Sequence, residues 1–587
     1  MTKRLTPLLR LIPAGPRAAA IASAAATALL AACTSIPLPP WEPSGFKTPA
    51  PASTTRTTAP VPPPAASLPA QTFPVAPPST LSSPSPRSSV QAPADNPAVA
   101  ARFPAPLMPY STPGLQPGRS NFTTSAESDA WLRTQARAAS GIAAAVVPVG
   151  RSQRGDLLEA LVLSRSGGTD PASLVGNGRP TVLLLGQNSP DEPAATEALL
   201  VMARELAQGL LQPTLDRLNV IVLPYANANT PNGAAANRDH LLLTAGETQA
   251  VAAVVRDYHP AVVIDVREYE AGGAPDRFRA KFGAVQKFDL LFQYATTPNT
   301  PELLTRASEE WFRRPLLAAL KSQQLSVEWA YTNPADPDDK KLVMGSPQPD
   351  TIRNVSALKN SVGLVLQSRG AGLGRLNIQR RVLTQVTAMS SLLASAAQRA
   401  ADLVQVRGYF DKEVSALACT GEAVVQAAPV AAQYDLQVLD AVTGADKLIN
   451  VDWDSSLALN RLAVRNRPCG YWLAASASPA VERLRMHGVT VMRLLDNGAV
   501  LADTYQGVPG NAPAGDKPAA NVRLSRGLLD VPRGSFYVPL NQPMANLVMA
   551  ALEPDTPFSF TTQRLVPDLQ ASARIMVPPK FKLEDMP

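Results

Sequence analysis

The stretch TVLLLGQNSPDEPAATEALLVMARELAQG, Thr181 to Gly209, decides the reading. A branched apolar run ends at Gly186, a polar loop follows, and a helical period opens at Pro193. Strand-loop-helix corners of this kind are where α/β proteins keep their sites. The loop, Gln187-Asn188-Ser189-Pro190-Asp191-Glu192, carries two acids and no histidine.

Working outward, AAAVVPVG (143–150) is a strand candidate, followed by RSQRGDLLEALVLSRS. Beyond the corner, the pattern predicts a helix over 193–211, a strand over 218–224, a helix over 247–258 and a strand over 261–266. A further buried run, VGLVLQS, covers 362–368, and a helical stretch runs from Leu376 to about Val406. Short apolar runs alternating with helical periods predict an α/β sheet covered by helices on both faces. After about Arg407 the texture becomes short alternating runs separated by turn residues: YDLQVLDAV, GVTVMRLL, GAVLADTY, GSFYVPL. This predicts a smaller β-rich C-terminal domain.

The 587 residues include 58 prolines, unevenly spread. From Thr34 to about Gly118 the chain is rich in Pro, Ser, Ala and Thr. Such a composition buries too little apolar surface to offset the ordering entropy. It predicts a tether holding a domain off a membrane, with a plain spacer as the alternative. Ahead of it stand Lys3, Arg4, Arg10 and Arg17, then an alanine-rich apolar stretch from Ala18 to Ala32. That stretch is too short for a good membrane span. It ends Leu30-Ala31-Ala32-Cys33, which resembles the lipobox of bacterial lipoproteins. The resemblance implies cleavage before Cys33, acylation there and anchoring to a membrane; an ordinary secretory signal is the alternative. Thr34 after the cysteine resembles an outer-membrane address, so the expected location is exported, lipid-anchored and facing the periplasm. The expected organisation is signal peptide 1–32, tether 33–118, α/β domain 119–406 and β-rich domain 407–587.

The formal charge is +7, and removing the four leader cations leaves +3. This modest excess, with no basic stripe interleaved with aromatics, gives no reason to expect a nucleic-acid partner. Besides Cys33, the chain holds Cys419 and Cys469. In an oxidising compartment these pair as a disulfide or remain two buried thiols.

Several segments in order resemble the zinc carboxypeptidase family, the carboxypeptidase A-like fold. VGRSQRGDLLEALVLS resembles its strand entry, and LLLGQNSPDEPAATEALL its G-x-x-H-x-x-E-P zinc motif. NRDHLLLTAGETQAV resembles its Asn-Arg substrate-binding element, and VVIDVREY the strand ending D-x-H-E. VGLVLQSRGAGLGRLNIQRRV resembles the strand bearing its general-base glutamate, and GSFYVPLNQPMANLVMAALEP the tail of a bacterial subgroup. The resemblance runs from about Phe122 to the C-terminus and implies a carboxypeptidase-like mixed sheet. In that family, zinc held by two His and one Glu activates a water, a carboxylate takes the water's proton, and arginine grips the substrate carboxylate.

This sequence departs from the pattern. Ser189 stands at the first His position, Arg267 at the second and Gln367 at the general-base position, while Glu192, Asn237 and Arg238 are kept. A guanidinium at a ligand position repels a cation, and a glutamine takes up no proton near neutrality. The expectation is therefore no bound zinc and no other cofactor, with Arg267 supplying the positive charge opposite Glu192, bridged by Gln367 and Ser189. The alternative metal set is Glu192, His240, Asp191 and Glu268. The other two histidines, His259 and His487, lie away from the corner. Ser189 has no histidine placed to make it a nucleophile.

Three functions compete. The first is a non-catalytic carboxypeptidase-like outer-membrane lipoprotein that binds peptides or cell-wall peptide stems around Arg238 and Arg267. The second is an active zinc metallocarboxypeptidase with a rebuilt metal site. The third is a structural or interaction lipoprotein. Metal content, peptide binding and hydrolysis separate them.

Overall fold

The computed structural model describes residues 96–165, 167–186, 191–226, 237–271, 277–332, 341–508 and 522–586. An eight-stranded mixed sheet runs in the order Ala143–Arg151, Leu157–Ser164, Asn219–Leu223, Thr181–Gly186, Val262–Glu270, Val362–Ala371, Leu290–Tyr294, Val327–Trp329. Thr181–Gly186 is parallel to both Asn219–Leu223 and Val262–Glu270, and Val262–Glu270 is parallel to Val362–Ala371. Leu290–Tyr294, a strand the patterning does not mark, pairs antiparallel with Val362–Ala371. The central strands are buried on both faces, which is why they read as continuous apolar runs rather than alternating ones.

Helix Pro193–Gln208 covers one face. Pro193 opens it, where the missing N–H costs nothing. Leu199, Leu200, Met202 and Leu206 are all buried, each a gain of about 1.5–3 kcal/mol over exposure. The helix packs so close to the strand end that a Cβ on Gly186 would lie 2.1 Å from Leu199 Cδ1. The stretch predicted as one helix from Leu376 is two, Ile378–Gln398 and Ala400–Ala416, broken at Arg399. The second helix runs through the expected boundary at 406/407.

The β-rich region is not separate from the α/β region. The long hairpin of Glu422–Asp440 and Asp446–Asn466 pairs on one side with Ala284–Gln286 and on the other with Lys341–Met344, so its five-stranded sheet draws strands from both. A seven-stranded sheet follows, and Cys419 is bonded to Cys469 at the base of the hairpin.

The N-terminal side requires a correction. Residues 96–118, expected as the end of the tether, are packed: Val99 and Phe103 are buried, and Arg369 stacks over the Phe103 ring at 4.3 Å. Glu197, fully buried on the Pro193–Gln208 helix, accepts from Thr123 N and Oγ1 at 2.9 Å each and from Thr112 Oγ1. A buried carboxylate must be hydrogen-bonded, and this segment supplies the donors. Cys33 and the predicted signal and tether up to residue 95 lie outside the described residues.

Candidate functional site

The corner forms at the C-terminal ends of the parallel strands. Glu192 directly precedes the Pro193–Gln208 helix, and Arg267 lies near the end of Val262–Glu270. Arg267 Nη2 donates to Glu192 Oε1 at 2.9 Å, with the two side chains 16% and 6% exposed. The guanidinium thus meets the carboxylate that the family pattern would offer to zinc. Burial pushes the Glu192 carboxyl up to about 7, and Arg267 opposes that rise without cancelling it. Glu192 Oε2 and Arg267 Nε are buried without a hydrogen-bond partner among the described residues. Ile378–Gln398 fixes the arginine's backbone, because Gln385 Nε2 donates to Arg267 O at 2.6 Å.

Gln367 is the register partner of Arg267 on the neighbouring strand, but it makes no hydrogen bond to Arg267 or Glu192. Its expected bridging role is therefore not seen. Ser189, the other expected bridge, lies outside the described residues.

The alternative metal set does not assemble. Both Glu268 oxygens are taken by Arg381, Nε to Oε1 at 2.7 Å and Nη2 to Oε2 at 2.8 Å, and Oε2 also accepts from Ala194 N at the helix start. Gly370 permits this approach, since a Cβ there would lie 1.6 Å from Glu268 Oε1. Burial pulls the His240 ring down to about 4, so it is neutral near pH 7. Asp191 is exposed, and no group of three His, Cys, Asp or Glu side chains suited to a metal occurs among the described residues. The residues present do not fit a zinc ion: the one kept ligand faces a fixed cation, and a second cation there would be repelled.

Among the described residues, no hydrogen bond or ion pair links Asn237 or Arg238 to Glu192 or Arg267. Arg238 Nε donates to buried Asp350 at 2.6 Å, and its guanidinium stacks over Phe558 at 5.3 Å. The side chain is nevertheless 58% exposed, and Nε is the only one of its nitrogens that hydrogen-bonds among the described residues. Asp350 therefore orients the fork and leaves its two amino groups outward, the geometry that binds a carboxylate bidentately. Asn237 is buried with Oδ1 lacking a hydrogen-bond partner among the described residues. Sequence reasoning missed Asp350, Phe558 and the buried Arg353, whose guanidinium burial pulls down to about 10. They come from segments with no motif, so nothing in the sequence marks them.

No family model matches the chain. Among characterised proteins, it is 24% identical to carboxypeptidase 2 of Trichophyton rubrum over 485 residues, covering 77% of this chain and 86% of that protein. It is likewise 24% identical to carboxypeptidase 2 of Trichophyton equinum over 415 residues, covering 66% of this chain and 74% of that one. A metallo-carboxypeptidase from Burkholderia cenocepacia aligns in structure over 47% of this chain and 70% of its own, at 13% identity and a TM-score of 0.33. At that score the structural likeness adds no weight to the sequence relatives.

Proposed function

Because this chain is of the zinc-carboxypeptidase-like family, we propose that it binds the terminal carboxylate of peptides, or of cell-wall peptide stems, without hydrolysing them. We propose further that it does so as a lipoprotein held at the outer membrane through Cys33. The observation that carries the reading is the Arg267–Glu192 pair, 2.9 Å apart, standing where the family pattern puts a metal and its ligand. A protein fork in place of the ion keeps the corner's carboxylate paired but supplies no activated water. Arg238, oriented by Asp350 and open to solvent, supports carboxylate capture. The location rests on the Leu30–Cys33 motif and on Thr34 after it. The names of the relatives favour a second reading, an active metallocarboxypeptidase.

The test pairs metal analysis with peptides. The chain is purified without chelator, dialysed against trace zinc and assayed for bound metal. It is then offered a peptide as its free acid and as its C-terminal amide. The expected result is no stoichiometric zinc, binding of the acid form only, and no released amino acid. One zinc per chain with released amino acid would establish the active enzyme instead. Binding neither peptide would leave an interaction protein.

A further inference from the structure

A second cleft lies far along the chain from the corner, between helix Ala400–Ala416, the loop at 299–303 and helix Ala545–Leu552. It has a volume of about 230 Å³, below the roughly 300–1,000 Å³ of drug-sized pockets and suited to a smaller ligand. Phe410, Val414 and Leu417 give it an apolar wall. Arg467 also lines it and is 6% exposed.

The charge of Arg467 is unbalanced. Nε donates to Glu422 O at 3.2 Å and Nη1 to Asn546 Oδ1 at 3.0 Å, both neutral acceptors. Nη2 makes no hydrogen bond among the described residues, and no carboxylate there lies within ion-pair distance. The neighbouring buried arginines are treated differently. Arg465 meets Glu553 and Asp555, and Arg574 meets Glu553 and Asp503. A buried guanidinium without a counter-ion is costly, and an arriving carboxylate would relieve that cost. Arg467 is also held in place. Asn546 Nδ2 donates to Asn299 O at 3.0 Å, and Asn299 is fixed by two hydrogen bonds to the backbone of Val424. Glu302 and Glu413 line the cleft as well; Glu302 is paired with Arg306, while Glu413 has no ion-pair partner among the described residues.

We propose that this cleft binds a free amino acid with an aliphatic side chain. Its carboxylate sits on Arg467, its ammonium faces Glu413, and its side chain lies against Phe410, Val414 and Leu417. The size, the unpaired cation, the nearby free acid and the apolar wall each match one part of that ligand. The site is independent of the Glu192 corner, so its failure would leave the reading of that corner intact.

Calorimetry on the intact chain tests it with three probes. L-leucine is expected to bind, leucinamide to bind at least tenfold more weakly, and 4-methylpentanoate to bind between the two. Arg467→Gln is expected to weaken leucine roughly tenfold to a hundredfold, the loss of one charge-assisted fork. Because that variant removes a buried anchor, Leu303→Trp serves as a second one. Leu303 is 51% exposed, so its replacement fills the cleft mouth without touching the interior, and it is expected to abolish leucine binding with an unchanged melting temperature. Glu413→Gln should weaken leucine and leave 4-methylpentanoate unaffected. No leucine binding at millimolar concentration, leucinamide equal to leucine, or full binding in Leu303→Trp each overturns the proposal.

Discussion

Removing one member of the corner pair at a time should give two different pH signatures. At 2.9 Å and an effective dielectric near 20 the gross attraction is about 6 kcal/mol, most of it offset by the desolvation of both groups. Breaking a buried pair by deleting one partner costs about 3–5 kcal/mol, while replacing both with apolar groups is near neutral. Glu192 in the folded chain sits at about 7, above its ordinary 4.5. A raised carboxyl favours the folded state below the unfolded value, and that contribution is lost as pH rises through the folded value. The window is therefore pH 4.5 to 7 and its amplitude roughly 3 kcal/mol. Arg267→Leu removes the one favourable partner and pushes Glu192 higher still. Its destabilisation should be larger at pH 8 than at pH 5 by up to about 1.4 kcal/mol, because the parent's carboxyl loses its proton only near pH 7 while the variant's keeps it. Glu192→Gln strands an always-charged guanidinium and removes the titrating group, so its cost relative to the parent should fall by roughly 3 kcal/mol as pH rises from 4.5 to 7. The double variant, leucine at both positions, should lie within about 1 kcal/mol of the parent at pH 8, where the parent's pair is ionised. Urea unfolding followed by circular dichroism at pH 5, 6.5 and 8 reads all three. Because a chain this long need not unfold in two states, amide exchange at residues 194–197 gives a local measure of the same opening. An Arg267→Leu variant as stable as the parent at pH 8, or equally destabilised at both ends of the range, would refute a buried pair at this corner.

Three further outcomes follow from the same structure. Installing Ser189→His, Arg267→His and Gln367→Glu together should produce a chain that retains about one zinc through dialysis, whereas Arg267→His alone should retain none, as metal analysis would show. Arg238→Gln should weaken a free-acid peptide about tenfold in calorimetry and leave its amide unchanged, because only the acid uses the fork. Cys419→Ser with Cys469→Ser should lower stability by up to about 4 kcal/mol, the loop-closure value for a separation of 50 residues, read as a drop in the first urea midpoint.

The sequence carried the central architecture well. The strand at 181–186 and the helices opening at Pro193 and near Glu247 lie where apolar periodicity put them, because burial on one or both faces is what sets that periodicity. Of the mapped positions, Arg267 does face Glu192. What escaped reading depends on partners distant in sequence. Val99 and Phe103 sit in a proline-rich run whose composition suggests a tether, and only the receiving surface, Val285, Leu439 and Arg369, makes them part of the core. Ala284–Gln286 is a strand of three residues, too short for any period to register, and it exists because Glu422–Asp440 lies beside it. Asp350 was invisible for the same reason: nothing local shows that a lone aspartate will aim an arginine more than a hundred residues away.

The hairpin that takes Ala284–Gln286 on one side and Lys341–Met344 on the other has a consequence for how this chain can be divided. A cut at 406/407 would leave two fragments, each with open strand edges where its neighbour had been, and unpaired edges recruit other chains. The two regions therefore have to be made and turned over as one object. Any change that keeps the α/β half is therefore bound to keep the β-rich half with it.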